Sequence, residues 1–393
     1  MSLPNALASI SFPDTSSSST SFSLIMAIAT LFIMLGKFVL GRPTDLIGGE
    51  KTLLLSCAFI AVIVYSCSIV SNTALFGLLW IALNFTFSSS WGAVGSSIRK
   101  NYPESEWGTQ LSVIAAGSRF GSMFSAIFYG KVLKDGNGNW RLLFKAASIV
   151  QVIALVVAVF LRNTFKNKLS NIVTSSIKDD DLTESIKDVI TRVTKSKKFW
   201  LMLIGKMSLM VVGQFISFIP LFLITGLRMP AHIAASSSSV FSLGSLFASI
   251  LVARFYQKLQ SSTKNYVVLC NNLLSSMVGV FLTIQTLGFQ MPVPCSLGFL
   301  FLWGGTWAAA FYSPPGIVAL ELGGPAHAAL LTNVFDAAGY LAAAVFSYYA
   351  TSMGRNGQWT GIMASLTLCS TIASITMLKA MKIPHVDSKK VKE

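Results

Sequence analysis

The sequence predicts an all-α, polytopic membrane protein with eleven transmembrane helices. Three observations predict it. First, 53% of the 393 residues are hydrophobic and only 11% are charged, against about a quarter charged in an ordinary soluble domain. Second, apolar runs of roughly 20 residues, each long enough to cross a hydrocarbon core of about 30 Å, follow one another along the chain. Third, lysine and arginine alternate between rich and poor connections. A surface facing lipid needs charge only at its ends and in its cavities, so hydrocarbon is the solvent for most of this chain.

The expected spans are Ser23 to Leu40, Thr52 to Val70, Ala74 to Ile98, Leu111 to Gly130, Trp140 to Leu161, Trp200 to Thr225, Ala231 to Ala253, Tyr266 to Leu287, Val293 to Leu322, Ala328 to Met353, and Trp359 to Leu378. Each must be helical, because an unpaired backbone group in lipid costs several kcal/mol. Pro220 and the Pro314-Pro315-Gly316 run are expected to bend or end their spans. One set of alternate connections holds 21 lysines and arginines and the other five. The positive-inside rule puts the rich set in the cytoplasm, with the C-terminus. An odd span count then puts residues 1–22 outside, and that stretch has no lysine or arginine. It lacks the basic and apolar regions of a secretory signal.

The chain divides into an external N-terminal segment (1–22), a five-span bundle (23–161), a cytoplasmic loop (162–199), a six-span bundle (200–378) and a cytoplasmic tail (379–393). In the loop, Leu182, Ile186, Val189, Ile190 and Val193 recur at helical spacing, which predicts an amphipathic helix on the cytoplasmic face. The halves resemble each other weakly. Gly121 precedes Trp140 by 19 residues and Gly339 precedes Trp359 by 20. Each tryptophan opens the last helix of its half, where an interfacial aromatic belt would take its ring. Duplicated bundles with a solute site at the midplane are the usual construction of secondary transporters.

Composition and motif searches narrow the function. Five scattered cysteines have no CxxC pair, so neither a disulfide framework nor a zinc site is indicated. The net charge of +15 lies in loops rather than on one folded face, which argues against a nucleic-acid partner. No phosphate-binding loop, nucleophile elbow, HExxH or GxGxxG occurs, so ATP-driven pumping and common hydrolase or dinucleotide chemistry have no support. A monomer without cofactor or metal, embedded in the bilayer and driven by gradients, is expected, and not an enzyme.

The segment Gly36 to Lys51, GKFVLGRPTDLIGGEK, resembles the major facilitator superfamily signature in the loop joining that family's second and third helices. Gly41, Asp45 and Gly48 match the pattern. Leu46 replaces its arginine, and Gly49 and Glu50 its basic residues. The resemblance implies a two-bundle transporter of twelve helices, so that the first helix is absent here, either because the gene model begins at an internal methionine or because the product is shorter. It also implies that Gly41, Asp45 and Gly48 gate the cytoplasmic side. Within the superfamily the chain looks most like the organophosphate:phosphate antiporter branch, on Lys37 before the signature, Trp91-Gly92 with Glu104 to Gly108, and Ser112-Val113 through Gly121. That branch places the lysine near its anion site. The branch's arginine in the seventh helix falls near apolar Val212, and its histidine in the fifth falls on Ser118.

Four basic residues, Lys37, Arg119, Lys145 and Lys206, lie within spans together with Asp336. An arginine at such depth costs about 3 kcal/mol by insertion scales, so Arg119 should face a cavity or a partner. Either Arg119 holds an anionic solute while Asp336 pairs with it or carries a proton, or the two form a permanent ion pair. Lys37 could instead extend along its helix to water, and for Lys145 and Lys206 that extension is the expectation. The expected solute-binding set is Lys37, Ser118, Arg119, Asn333 and Asp336, around a small organic anion such as phosphate or a phosphate ester, with protons as a coupling ion. A transport-inactive sensor or scaffold is the competing expectation.

Overall fold

Apolar runs that cannot leave backbone groups unpaired in lipid form helices, and no strand occurs among the described residues. The computed structural model describes residues 18–102, 106–169, 186–255, 259, 261–289 and 291–383. In chain order the helices are α1 (Ser18–Val39), α2 (Gly41–Ile47), α3 (Gly49–Ile69), α4 (Thr73–Phe87), α5 (Ser89–Asn101), α6 (Trp107–Asp135), α7 (Trp140–Leu169), α8 (Ile186–Lys195), α9 (Lys197–Gln214), α10 (Ile219–Leu221), α11 (Ala231–Ser237), α12 (Ser239–Arg254), α13 (Ser261–Thr286), α14 (Val293–Arg355) and α15 (Trp359–Met381). Starts are set locally. The Asn72 side chain accepts hydrogen bonds from the Ala74 and Leu75 amides at 2.8 and 3.1 Å, capping α4. Pro220 has no N–H to give, and around it the sixth expected span breaks into a 3-10 turn (Phe215–Ser217), α10 and a π turn (Phe222–Gly226).

Nine segments among the described residues are long and apolar enough to cross a membrane, and Leu24–Val39 is a shorter tenth. The eleventh lies inside α14, whose 63 residues would reach about 95 Å if straight. It is not straight. The Lys206 ammonium lies 3.4 Å from the Phe311 carbonyl and 3.4 Å from the Asp336 carboxylate. Those two groups are therefore within about 7 Å of each other, whereas 25 residues of straight helix would hold them about 37 Å apart. The run doubles back between Phe311 and Asp336, giving two antiparallel arms that correspond to the ninth and tenth expected spans.

Buried apolar side chains fall into two clusters. One gathers Met26, Val64, Phe76, Trp80, Tyr129, Leu143 and Phe144 from α1 to α7, together with Ala235 of α11. The other is built from residues between Val193 and Ala380. Outside these cores, Val62, Phe160 and Val345 stand 66%, 68% and 69% exposed, as side chains solvated by lipid should. The expected loop helix is α8. Its Val193 joins the second core, and Arg192 donates to the Leu322 carbonyl at 3.2 Å, so α8 docks on the second half. Leu182 lies outside the described residues.

The paired tryptophans depart from expectation. Trp140 and Trp359 are buried within the protein rather than on its surface. Gly138 and Gly357, at φ 80° and 71°, turn the chain so tightly that the next ring folds into its own bundle. Trp140 meets Phe76 and Phe144 edge-on at 5.8 and 5.7 Å. The Trp359 indole donates to the Thr225 hydroxyl at 2.8 Å. Thr225→Val keeps the shape and orphans that indole N–H, so a loss of about 2 kcal/mol is expected, measured as a lowered thermal midpoint in detergent.

Candidate functional site

The site grows from charges that helices carry to the seam between the two halves. Lys37 ends α1, Arg119 lies near the middle of α6, Lys206 is on α9 and Asp336 is on the second arm of α14. Lys37 donates to one Asp336 carboxylate oxygen at 2.9 Å, and the Lys206 ammonium lies 3.4 Å from the other. The two lysine side chains keep only 2% and 8% of their exposure. Neither reaches water along its helix, which corrects that reading for both. The reason is geometric: a carboxylate on the facing arm of α14 lies within ion-pair distance of both ammonium groups. Lys206 also points at the Phe311 ring, 3.2 Å from its centroid, and Lys37 lies 5.5 Å from the Tyr340 centroid.

Arg119 does not pair with Asp336, as one sequence reading had it. Its guanidinium lies over Trp307 at 5.4 Å and Tyr312 at 5.8 Å, and Trp91 packs on Tyr312 at 6.1 Å. The rings meet the guanidinium by cation–π contact, part of its N–H edge is engaged by a side-chain hydrogen bond to the Tyr312 hydroxyl, and the rest of that edge can meet an acid group. The Arg119 Nε is buried with no hydrogen-bond partner, and no carboxylate pairs with this residue among the described ones. The cluster therefore holds three cations against one carboxylate.

The other expected residues divide. Asn333 reaches the seam, its amide 3.5 and 3.9 Å from where side chains would start at Gly41 and Gly92. With Lys37, Thr44 and Ser88 these residues line a crevice of about 10 Å³, room for one water at most. Ser118 is exposed and takes no part in the contacts that hold Arg119. Neighbouring helix positions point about 100° apart, so one of this pair had to turn away from the rings. In the signature loop, Gly41 opens α2, and Gly48, at φ 92°, separates α2 from α3 in a conformation few other residues adopt. Asp45 lies on α2, and its side chain is outside the described residues. Lys145 is exposed on α7, away from the cluster. Gln214 bonds Ser347 at 3.1 Å and Asn271 bonds the Thr306 carbonyl at 2.6 Å, so these amides tie helices together. The residues that sequence reasoning passed over are Trp307, Tyr312 and Tyr340. Tyrosines deep in an apolar span were the available signal, since each hydroxyl needs a polar neighbour.

Two helical bundles with a charged cluster at their seam define the class, a secondary transporter of the membrane. The chain belongs to the Major Facilitator Superfamily, whose family model matches residues 1–347. The crystal structure of a D-xylose-proton symporter is similar, with a TM-score of 0.65 over 98% of this chain and 92% of that one, at 12% identity. At that identity the likeness carries the fold. No curated protein matches the chain.

Proposed function

We propose that the protein carries a small organic anion by alternating access, with Arg119 as the anchor for the solute's acid group. The observation that supports this is the charge of the seam: Lys37, Lys206 and Arg119 converge there, and one carboxylate answers them. Arg119 offers an unpartnered Nε on a guanidinium held by cation–π contact with Trp307 and Tyr312, and such a planar fork suits a carboxylate or phosphate oxygen. The GKF segment before the signature favours a phosphate ester within that class. Lys37, on the first half, and Asn333 and Asp336, on the second, would then part and rejoin as the bundles rock. Gly41, Asp45 and Gly48 would latch the end that the basic loops assign to the cytoplasm.

Proteoliposomes loaded with the purified full chain test this. Saturable uptake of glycerol 3-phosphate, inorganic phosphate or succinate, with D-xylose and glucose excluded, is the expected result. Uptake of the neutral sugars with exclusion of every anion would overturn it, and flux of none would favour the sensor or scaffold.

A further inference from the structure

Closing the seam at the level of the cluster takes Lys37 and Lys206 out of water. A buried ammonium without a counter-charge is strongly disfavoured. A seam lined by cations alone would therefore close only around a bound anion. Such a carrier swaps one anion for another and cannot return unloaded. This chain supplies its own carboxylate. Asp336 sits between the two lysines, at 2.9 and 3.4 Å, and the Phe311 carbonyl and ring give Lys206 a second partner. Arg119 is only half-buried as a residue, although its Nε is covered, and the Trp307 and Tyr312 rings face its charge.

We infer that Asp336 is an internal counter-anion that takes the place of the solute's acid group, so that the protein reorients unloaded and moves solute in net fashion rather than by obligatory exchange. The inference rests on the anion reading above. The placement of the groups fixes which contact changes. Lys206 and Asp336 both belong to the second half and Lys37 to the first, so parting the bundles breaks the Lys37–Asp336 contact and leaves Lys206–Asp336 intact. Lys37 and Arg119 then face the seam together from the first half. A solute's acid group replaces Asp336 as the partner of Lys37, and Asp336 takes that lysine back when the solute leaves.

The test needs no solute. Spin labels on cysteines at Val39, which is 59% exposed, and at exposed Lys382, in a background with the five native cysteines replaced, report the distance between the halves at the basic-loop end. Without added anion the wild type is expected to populate the short distance. Asp336→Asn should lower the ratio of short to long distances at least tenfold, and Asp336→Glu should restore it. The exchange Lys37→Asp with Asp336→Lys should restore it too, which a merely structural carboxylate would not allow. An Asp336→Asn protein with the wild-type distribution would overturn the proposal. If that variant does not fold, a folded charge exchange that stays open overturns it instead, and one that closes supports it. A negative result here removes the counter-anion role while leaving the anion site itself to the uptake panel.

Discussion

Arg119→Met is expected to lower anion uptake at least about 100-fold, with the yield of folded protein unchanged. Two charge-assisted hydrogen bonds from one guanidinium to an acid group contribute about 3 kcal/mol together, which is about two orders of magnitude in binding. Arg119→Lys keeps the charge and loses the planar fork, so an intermediate loss of about tenfold is expected. Stability separates this role from a structural one. No carboxylate pairs with Arg119 among the described residues and its Nε has no partner. Removing the charge should therefore leave the thermal midpoint unchanged or raise it. Uptake per folded molecule, measured beside the melting curve, decides: normal uptake in Arg119→Met ends the anchor role, and a collapsed midpoint makes the residue a packing element.

Gly244→Val should abolish recovery of folded protein. Gly244 on α12 and Gly304 on the first arm of α14 let two backbones touch. A Cβ at Gly244 would fall on the Phe301 carbonyl oxygen, and one at Gly304 on the Phe241 carbonyl oxygen. The Ser245 hydroxyl donates to the Gly304 carbonyl at 2.9 Å across the same crossing. Small residues that bring helix backbones together are what holds a bundle in lipid, where apolar packing has no aqueous competitor. Backbone atoms cannot yield as a side-chain tip can, so the penalty exceeds the usual 1–3 kcal/mol or so of overpacking. Gly117→Ala is the matched control, because nothing lies within 4 Å of the position where its Cβ would stand. Size-exclusion profiles in detergent should show a monodisperse control and no peak for Gly244→Val. A monodisperse Gly244→Val protein would show that this crossing is dispensable.

Local features made much of the architecture legible. Hydropathy located the spans because a helix in lipid satisfies its backbone within itself and needs no partner to form. The amphipathic spacing ending at Val193 likewise marked α8, since a helix with one apolar stripe must lay it against something. The tryptophans that open α7 and α15 were legible as a repeated position but not in their burial. Their fate depends on where a turn at Gly138 or Gly357 aims the residue two places on. Gly117 and Gly121 meet open space, whereas Gly130, Gly244 and Gly304 lie against a facing backbone. A glycine's role depends on the helix opposite, which its own neighbours in sequence do not encode.

The sequence by itself determined that this chain is a bundle of membrane helices, that it belongs with the facilitator signature at Gly41, Asp45 and Gly48, and that a few ionic groups had to lie within the spans. Tertiary structure decided which of those groups meet. It sent Lys145 to the surface, drew Lys37 and Lys206 onto Asp336, and left Arg119 over Trp307 and Tyr312 with its Nε unpartnered. The physical reason is that the cost of burying a charge depends on what lies within a few ångströms, and those neighbours come from helices as far as 299 residues away in the chain.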